Sequence, residues 1–161
     1  MKKTINEHWV SELAEELICE IIQQMSGIDL KGVPNTENLC PSQDLGAVYG
    51  ETVGDFNLQM QFKAEEPFFM RLAQNMTGYP IENREEMEEY ATEFFNIICG
   101  RFVSELYNLT GQSARFLPTV YQRQPNITAL DNGDGCNTVT FNSDHDEAAV
   151  FCWMVAAQEQ I

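Results

Sequence analysis

The stretch EEYATEFFNIICGRFVSEL, residues 88–106, most strongly constrains how this chain can fold. At about 100° per residue on a helical wheel, its apolar side chains gather between about 100° and 220° from Glu93, which is set at zero. So broad an apolar stripe predicts a long helix that packs against a sheet. Asn83 and Gly111 mark where this helix begins and ends. The stripe consists of Met87, Ala91, Phe94, Phe95, Ile98, Phe102 and Leu106.

Four residues form a line on the opposite face of this predicted helix. Glu89, Glu93, Asn96 and Gly100 follow i, i+4, i+7, i+11 spacing and fall within about 60° of one another. Glycine costs about 1 kcal/mol relative to alanine in a helix interior. On an outward face, however, it leaves space where something external can come close. Taken alone, the line is most simply a solvated acidic face in which the asparagine and the glycine have no special role.

The rest of the chain predicts one domain over residues 1–161 with an α+β fold, in which a sheet of about five strands is covered on one face by long helices. The first half is predicted to form a helix at 4–26, a loop at 27–44, a hairpin at 45–64 with its turn near Gly54, and a helix from about Pro67 to Gly78. After the long helix come a short strand at 113–118, an irregular connection at 119–135 and two strands around the turn SDHD. The last of these strands could also be a helix end, but the apolar run at 150–153 favours a buried strand.

The composition narrows the classes of function. The chain has nine basic residues and a formal net charge of −16, which argues against binding to nucleic acid or to an anionic membrane surface. At 43% hydrophobic residues it can bury a substantial core. The N-terminus lacks the apolar segment of a signal peptide, and no run of 18 apolar residues predicts a membrane span. We therefore expect a cytoplasmic protein.

No sequence pattern predicts a metal ion or cofactor bound by this chain alone. The five cysteines are scattered without a C-x-x-C pair, so core or partly buried free thiols are expected. His145 lies among acidic residues in SDHDEA, which indicates a polar hairpin turn rather than a metal site. The segment DNGDG at 131–135 resembles part of a calcium loop, but Asn142 stands where the last acidic ligand would be needed. We interpret that segment as a turn.

The sequence around Glu93 and Asn96 indicates a function for the four residues on the outward face of the predicted helix. Glu93-Phe94-Phe95-Asn96 is an E-x-x-N motif, and Pro118 follows Asn96 by 22 positions. This resembles the signature of the CheX/CheC/FliY phosphatases of bacterial chemotaxis, which is Asp or Ser, three residues, Glu, two residues, Asn, twenty-one residues, Pro. Glu89 departs from the signature at its first position. The resemblance extends over about 46–118 and includes GETVGDFNLQMQF at 50–62, RLAQNMTG at 71–78 and NIICGRF at 96–102.

The resemblance implies an enzyme that hydrolyses the phospho-aspartate of a CheY-like response regulator. In that scheme the regulator supplies Mg²⁺ and a lysine, and the phosphatase supplies a positioned water. Asn96 would orient the attacking water, and Glu93 would pair with the regulator's active-site lysine. Glu89 and Gly100 would contact the regulator, whereas Pro118 would end a strand. A single E-x-x-N site is closest to CheX, which implies a homodimer.

Two other functions remain open from the sequence. One is a non-catalytic CheX-like module that binds or scaffolds a response regulator, and the other is a flagellar-switch relative of the FliM/FliY type. A second catalytic site in the first helix is not expected. Glu20 and Gln23 form an E-x-x-Q there, but the surrounding residues do not repeat the signature, so we interpret both as part of a solvated face.

Overall fold

A computed structural model describes residues 7–33, 45–123 and 137–155 of the chain, and three helices and seven strands lie within these ranges. None of the described helices is both long and apolar enough to cross a membrane. In chain order the elements are α1 Glu7–Ser26, β1 Leu30–Val33, β2 Leu45–Gly54, β3 Leu58–Glu65, α2 Glu66–Thr77, α3 Arg84–Thr110, β4 Ala114–Phe116, β5 Val120–Arg123, β6 Asn137–Ser143 and β7 Ala148–Val155.

The predicted α+β class is confirmed, but the prediction of about five strands is wrong, because the sheet has seven. Its order is β1-β6-β7-β3-β2-β4, with β5 also paired to β2, and every pairing is antiparallel. The two unexpected strands, β1 and β5, fall in segments predicted to be a loop and an irregular connection. Each is four residues long, too short to show a two-residue period, and is identified by its pairing with a distant strand.

Local signals set the ends of α2 and α3 as predicted. Pro67 lies in the first turn of α2, and Gly78 ends that helix at a φ of 80°. The side chain of Asn83 accepts a hydrogen bond of 2.8 Å from the Glu86 amide at the start of α3. Gly111 ends α3 at a φ of 73°. Positive φ favours glycine, so both glycines suit these helix ends.

The core lies between one face of the sheet and the three helices. Phe62, in the central strand β3, is fully buried, and its ring centroid lies 5.4–6.5 Å from those of four other phenylalanines. These come from both α2 and α3 and from β6, namely Phe68, Phe69, Phe94 and Phe141. A side chain shared by three elements fixes how the helices seat on the sheet.

The SDHD segment is a polar hairpin turn, as predicted. It joins β6 to β7, and Asp146 adopts a φ of 59° within it. Arg71 of α2 donates hydrogen bonds to Asp144 at 2.8 Å and to Glu147 at 2.6 Å, so this turn is tied to the helix layer. The DNGDG segment at 131–135 lies outside the described residues.

The cysteine prediction holds for the three described cysteines. Cys19 is half-buried, Cys99 and Cys152 are buried, and none of the three forms a disulfide. Cys40 and Cys136 lie outside the described residues.

Candidate functional site

The outward line of α3 is exposed, as the helical wheel predicted. Glu89, Glu93, Asn96 and Gly100 are all exposed to solvent. All seven residues of the predicted apolar stripe are buried on the other side of the helix. Glu93 and Asn96 therefore lie one turn apart on a surface that another protein can reach.

Gly100 lies in open space. A Cβ atom added to it would meet no atom outside the local helix within 4 Å. This glycine is therefore not required for close packing inside the protein. Two exposed apolar side chains share the same face of α3: Ile97 is 41% exposed and Tyr107 is 55% exposed. The surface around Gly100 is thus more apolar than the acidic N-terminal half of the line.

The Glu93 carboxylate has no cationic partner in the part of the chain that the structure describes. Other glutamates nearby do form ion pairs. Glu88 pairs with Arg123 of β5, and Glu20 of α1 lies 4.0 Å from Arg101. Glu20 and Gln23 are exposed, in agreement with the predicted solvated face of α1.

The buried side of α3 fixes the helix against β2. Gly50 of β2 faces Phe95 and Cys99, and a Cβ atom there would lie 3.3 Å from the Phe95 ring and 3.7 Å from the Cys99 sulfur. Burial raises the pKa of the Cys99 thiol well above its usual value, so the thiol is neutral near pH 7. Cys99 is therefore neither an accessible nucleophile nor a thiolate.

A bulge in the edge strand lies beside Asn96. β4 and β5 pair with β2 in succession, with Phe116 opposite Thr52 and Val120 opposite Tyr49. Between these two pairs, residues 117–119 stand opposite only residues 50–51 of β2. One extra residue in an edge strand makes a bulge, which redirects a side chain. Pro118 has no N–H to continue the ladder, so its predicted role at the end of a strand agrees with its position after β4.

The bulge brings Thr119 to the helix. The Thr119 hydroxyl donates a hydrogen bond to Oδ1 of Asn96 at 2.9 Å, and it lies 3.3 Å from the carbonyl oxygen of Thr92. The E-x-x-N motif and the distant Pro118 therefore belong to one local structure. Gly50 contributes to the same contact, because a Cβ there would lie 3.2 Å from the Thr119 methyl group.

Two residues at the exposed face of α3, Thr119 and Ile97, were not predicted from the sequence to lie at the site. The signal for Thr119 was its position next to Pro118, but the pairing of the edge strand with β2 was needed to bring it to α3. Ile97 could have been found on the helical wheel, where it lies about 40° from Glu93 on the outward face. The described residues contain no group of three or more His, Cys, Asp or Glu side chains that could hold a metal ion.

No family model matches the sequence, and no curated protein is similar enough to be identified as a relative. Solved structures are similar in fold. CheX from Vibrio vulnificus superposes with a TM-score of 0.77 at 15% identity, covering 95% of this chain and 100% of that one. CheX from Desulfovibrio desulfuricans has a TM-score of 0.76 at 14% identity, covering 92% and 99%.

A third similar structure contains a partner protein. It is the CheX–CheY–BeF3–Mg²⁺ complex from Borrelia burgdorferi, with a TM-score of 0.73 at 16% identity, covering 96% of this chain and 100% of that one. CheC-like and FliY structures also match. The chain therefore has the fold of the CheX/CheC/FliY chemotaxis proteins, with CheX structures among its strongest matches.

Proposed function

We propose that this protein is a phosphatase that hydrolyses the phospho-aspartate of a CheY-like response regulator. The observation that carries the proposal is the exposure of Glu93 and Asn96, one turn apart, beside the open surface at Gly100. The CheX fold supports it, as does the complex of the Borrelia burgdorferi protein with CheY. The proposal also places the protein in the cytoplasm, where response regulators act.

Asn96 is suited to hold a water molecule near a phosphoryl group. A carboxamide is uncharged and can both donate and accept hydrogen bonds. A carboxylate at the same position would repel the negatively charged phosphoryl group. Phosphoryl transfer depends mainly on positioning and on electrostatic stabilisation, so a water fixed in line with the scissile P–O bond would accelerate hydrolysis. In this proposal the water is the nucleophile, and Asn96 orients it.

Glu93 is suited to anchor the regulator. Its carboxylate forms no ion pair within the described part of the chain, so pairing with a lysine on the partner would not break a described contact. The regulator would supply that lysine and the Mg²⁺ that neutralises charge on the phosphoryl oxygens. Glu89 and Gly100 would lie at the edge of the same contact, with Gly100 allowing the regulator to approach the helix.

A kinetic comparison of two variants tests both roles. Asn96→Ala should lower the maximal rate of phosphate release by at least about a hundredfold, because positioning effects reach this size, and should leave binding nearly unchanged. Glu93→Ala should mainly weaken binding of the phosphorylated regulator. Asn108→Ala provides a matched control, because Asn108 is an exposed asparagine near the C-terminal end of α3.

The same experiment separates a phosphatase from a scaffold. A wild-type protein that binds the phosphorylated regulator without faster phosphate release would be a non-catalytic module. Equal rates for wild type and Asn96→Ala would refute the role of Asn96. Homodimer formation is a further part of the proposal, and light scattering after size-exclusion chromatography tests it by giving the mass in solution.

A further inference from the structure

We propose that Thr119 is a positioning residue that holds the Asn96 carboxamide in the orientation needed for catalysis. The inference rests on the proposed phosphatase function and extends it to a residue outside the E-x-x-N motif. It starts from one contact: the Thr119 hydroxyl donates to Asn96 Oδ1 at 2.9 Å.

Asn96 depends on this contact for its orientation. Within the described ranges its side chain makes no other hydrogen bond. An exposed asparagine without a partner samples several rotamers, and the torsion that turns its amide is broad. A single well-formed hydrogen bond is therefore enough to select one amide orientation over the others.

Thr119 is itself held in place. Two residues earlier in the bulge, the Leu117 amide donates to the Glu51 carbonyl oxygen at 3.0 Å, which ties this backbone to β2. The β-branched side chain of threonine has restricted χ1 freedom. Arg123, four residues further along β5, pairs with Glu88 of α3 and ties the edge strand to the same helix. The hydroxyl thus approaches Asn96 from a fixed support.

The hydrogen bond from Thr119 leaves one acceptor position and both donor hydrogens of the Asn96 carboxamide available. A carbonyl oxygen has two lone pairs, so Oδ1 keeps one after accepting from Thr119, and Nδ2 keeps both of its hydrogens. Oδ1 of Asn96 can therefore accept a hydrogen bond from a water molecule, and Nδ2 can donate one to a water molecule or to a phosphoryl oxygen. Loss of the Thr119 hydroxyl would leave this chemistry intact but would let the amide rotate.

Three substitutions at one position test the proposal. Thr119→Val removes the hydroxyl and keeps the branched shape, and it should lower kcat by about five- to a hundredfold with little change in KM. Thr119→Ser restores a hydroxyl and should return kcat to within about threefold of wild type, the remainder reflecting the freer serine χ1. Thr119→Ala removes the hydroxyl with a smaller side chain and serves if the valine variant folds poorly.

A readout independent of activity accompanies the kinetics. The NMR order parameter of the Asn96 side-chain NH2 group should fall in Thr119→Val and recover in Thr119→Ser. Thr77→Val is the matched control, because the Thr77 hydroxyl bonds to a backbone carbonyl oxygen at the end of α2, a helix that carries neither Asn96 nor Thr119. That variant should change neither kcat nor the order parameter.

The outcomes distinguish this proposal from the one on which it rests. If wild type does not accelerate phosphate release, the phosphatase proposal fails, and the NMR comparison alone decides whether Thr119 holds Asn96. If wild type is active but Thr119→Val has an unchanged kcat, the positioning role is overturned. The same holds if the order parameter of Asn96 is equal in wild type and Thr119→Val.

Discussion

Replacement of Gly100 by alanine should stabilise the isolated protein. Gly100 lies within α3, and an added Cβ meets no atom outside the local helix within 4 Å, so the substitution introduces no clash. Alanine is favoured over glycine in a helix interior by about 1 kcal/mol. For a chain of 161 residues, that gain corresponds to a rise in Tm of about 2–4 °C.

Thermal and urea unfolding of the purified protein measure this effect, and Gly111→Ala is its control. Gly111 ends the same helix at a φ of 73°, where a residue with a Cβ is strained by about 1–2 kcal/mol. The same chemical change should therefore stabilise the protein at position 100 and destabilise it at position 111. A Gly100→Ala variant that is less stable than wild type would refute the view of this site as open, unstrained helix surface.

A longer side chain at position 100 tests why the glycine is tolerated. Gly100→Gln should also stabilise the helix, but it should raise KM for the phosphorylated regulator on the order of tenfold, because misfit side chains typically cost about 1–3 kcal/mol. Asn108→Gln places the same side chain near the end of α3 and should leave KM unchanged. If Gly100→Gln binds and dephosphorylates the regulator as wild type does, the docking surface does not include Gly100.

Three further predictions concern the stability of the fold, and urea unfolding measures each. Asn83→Ala removes the cap of α3 and should lower the free energy of unfolding by about 1 kcal/mol, whereas a loss near zero would show that the bond to Glu86 does not matter. Phe62→Ala should cost about 3–5 kcal/mol, and a cost below 1 kcal/mol would contradict its place in the core. Burial alone would raise the pKa of Asp144, but a hydrogen bond from Arg71 and the positive charge of its guanidinium lower that pKa below the usual value. The Arg71–Asp144 interaction therefore adds to the free energy of unfolding above about pH 4, and this contribution is lost as the pH falls further. Arg71→Met should therefore reduce the loss of stability between pH 7 and pH 3, and an unchanged loss would contradict the role of the ion pair.

The sequence predicted α3 well because a helix is defined by local spacing. The buried stripe and the exposed line both follow from about 100° per residue, and the ends follow from Asn83 and Gly111. Glu93 and Asn96 were placed correctly on the surface for the same reason. Their proposed roles came from the resemblance and stay predictions.

The edge of the sheet could not be predicted in the same way. β1 and β5 are short and are defined by hydrogen bonds to strands far away in the chain. The contact between Thr119 and Asn96 depends on how β4 and β5 align with β2, which no local pattern reveals. Pro118 gave the position of the bulge in the sequence, but not the residue that the bulge directs to the helix.

The lifetime of the phospho-aspartate on a response regulator tests the central claim most directly. The regulator is phosphorylated with a small-molecule donor, and its dephosphorylation is followed alone, with wild type and with Asn96→Asp, which keeps the shape of the side chain and adds a negative charge. We predict that wild type shortens the lifetime and that Asn96→Asp, although it still binds, leaves the lifetime close to that of the regulator alone. An Asn96→Asp variant as active as wild type would contradict the proposal that an uncharged amide at this position orients the attacking water.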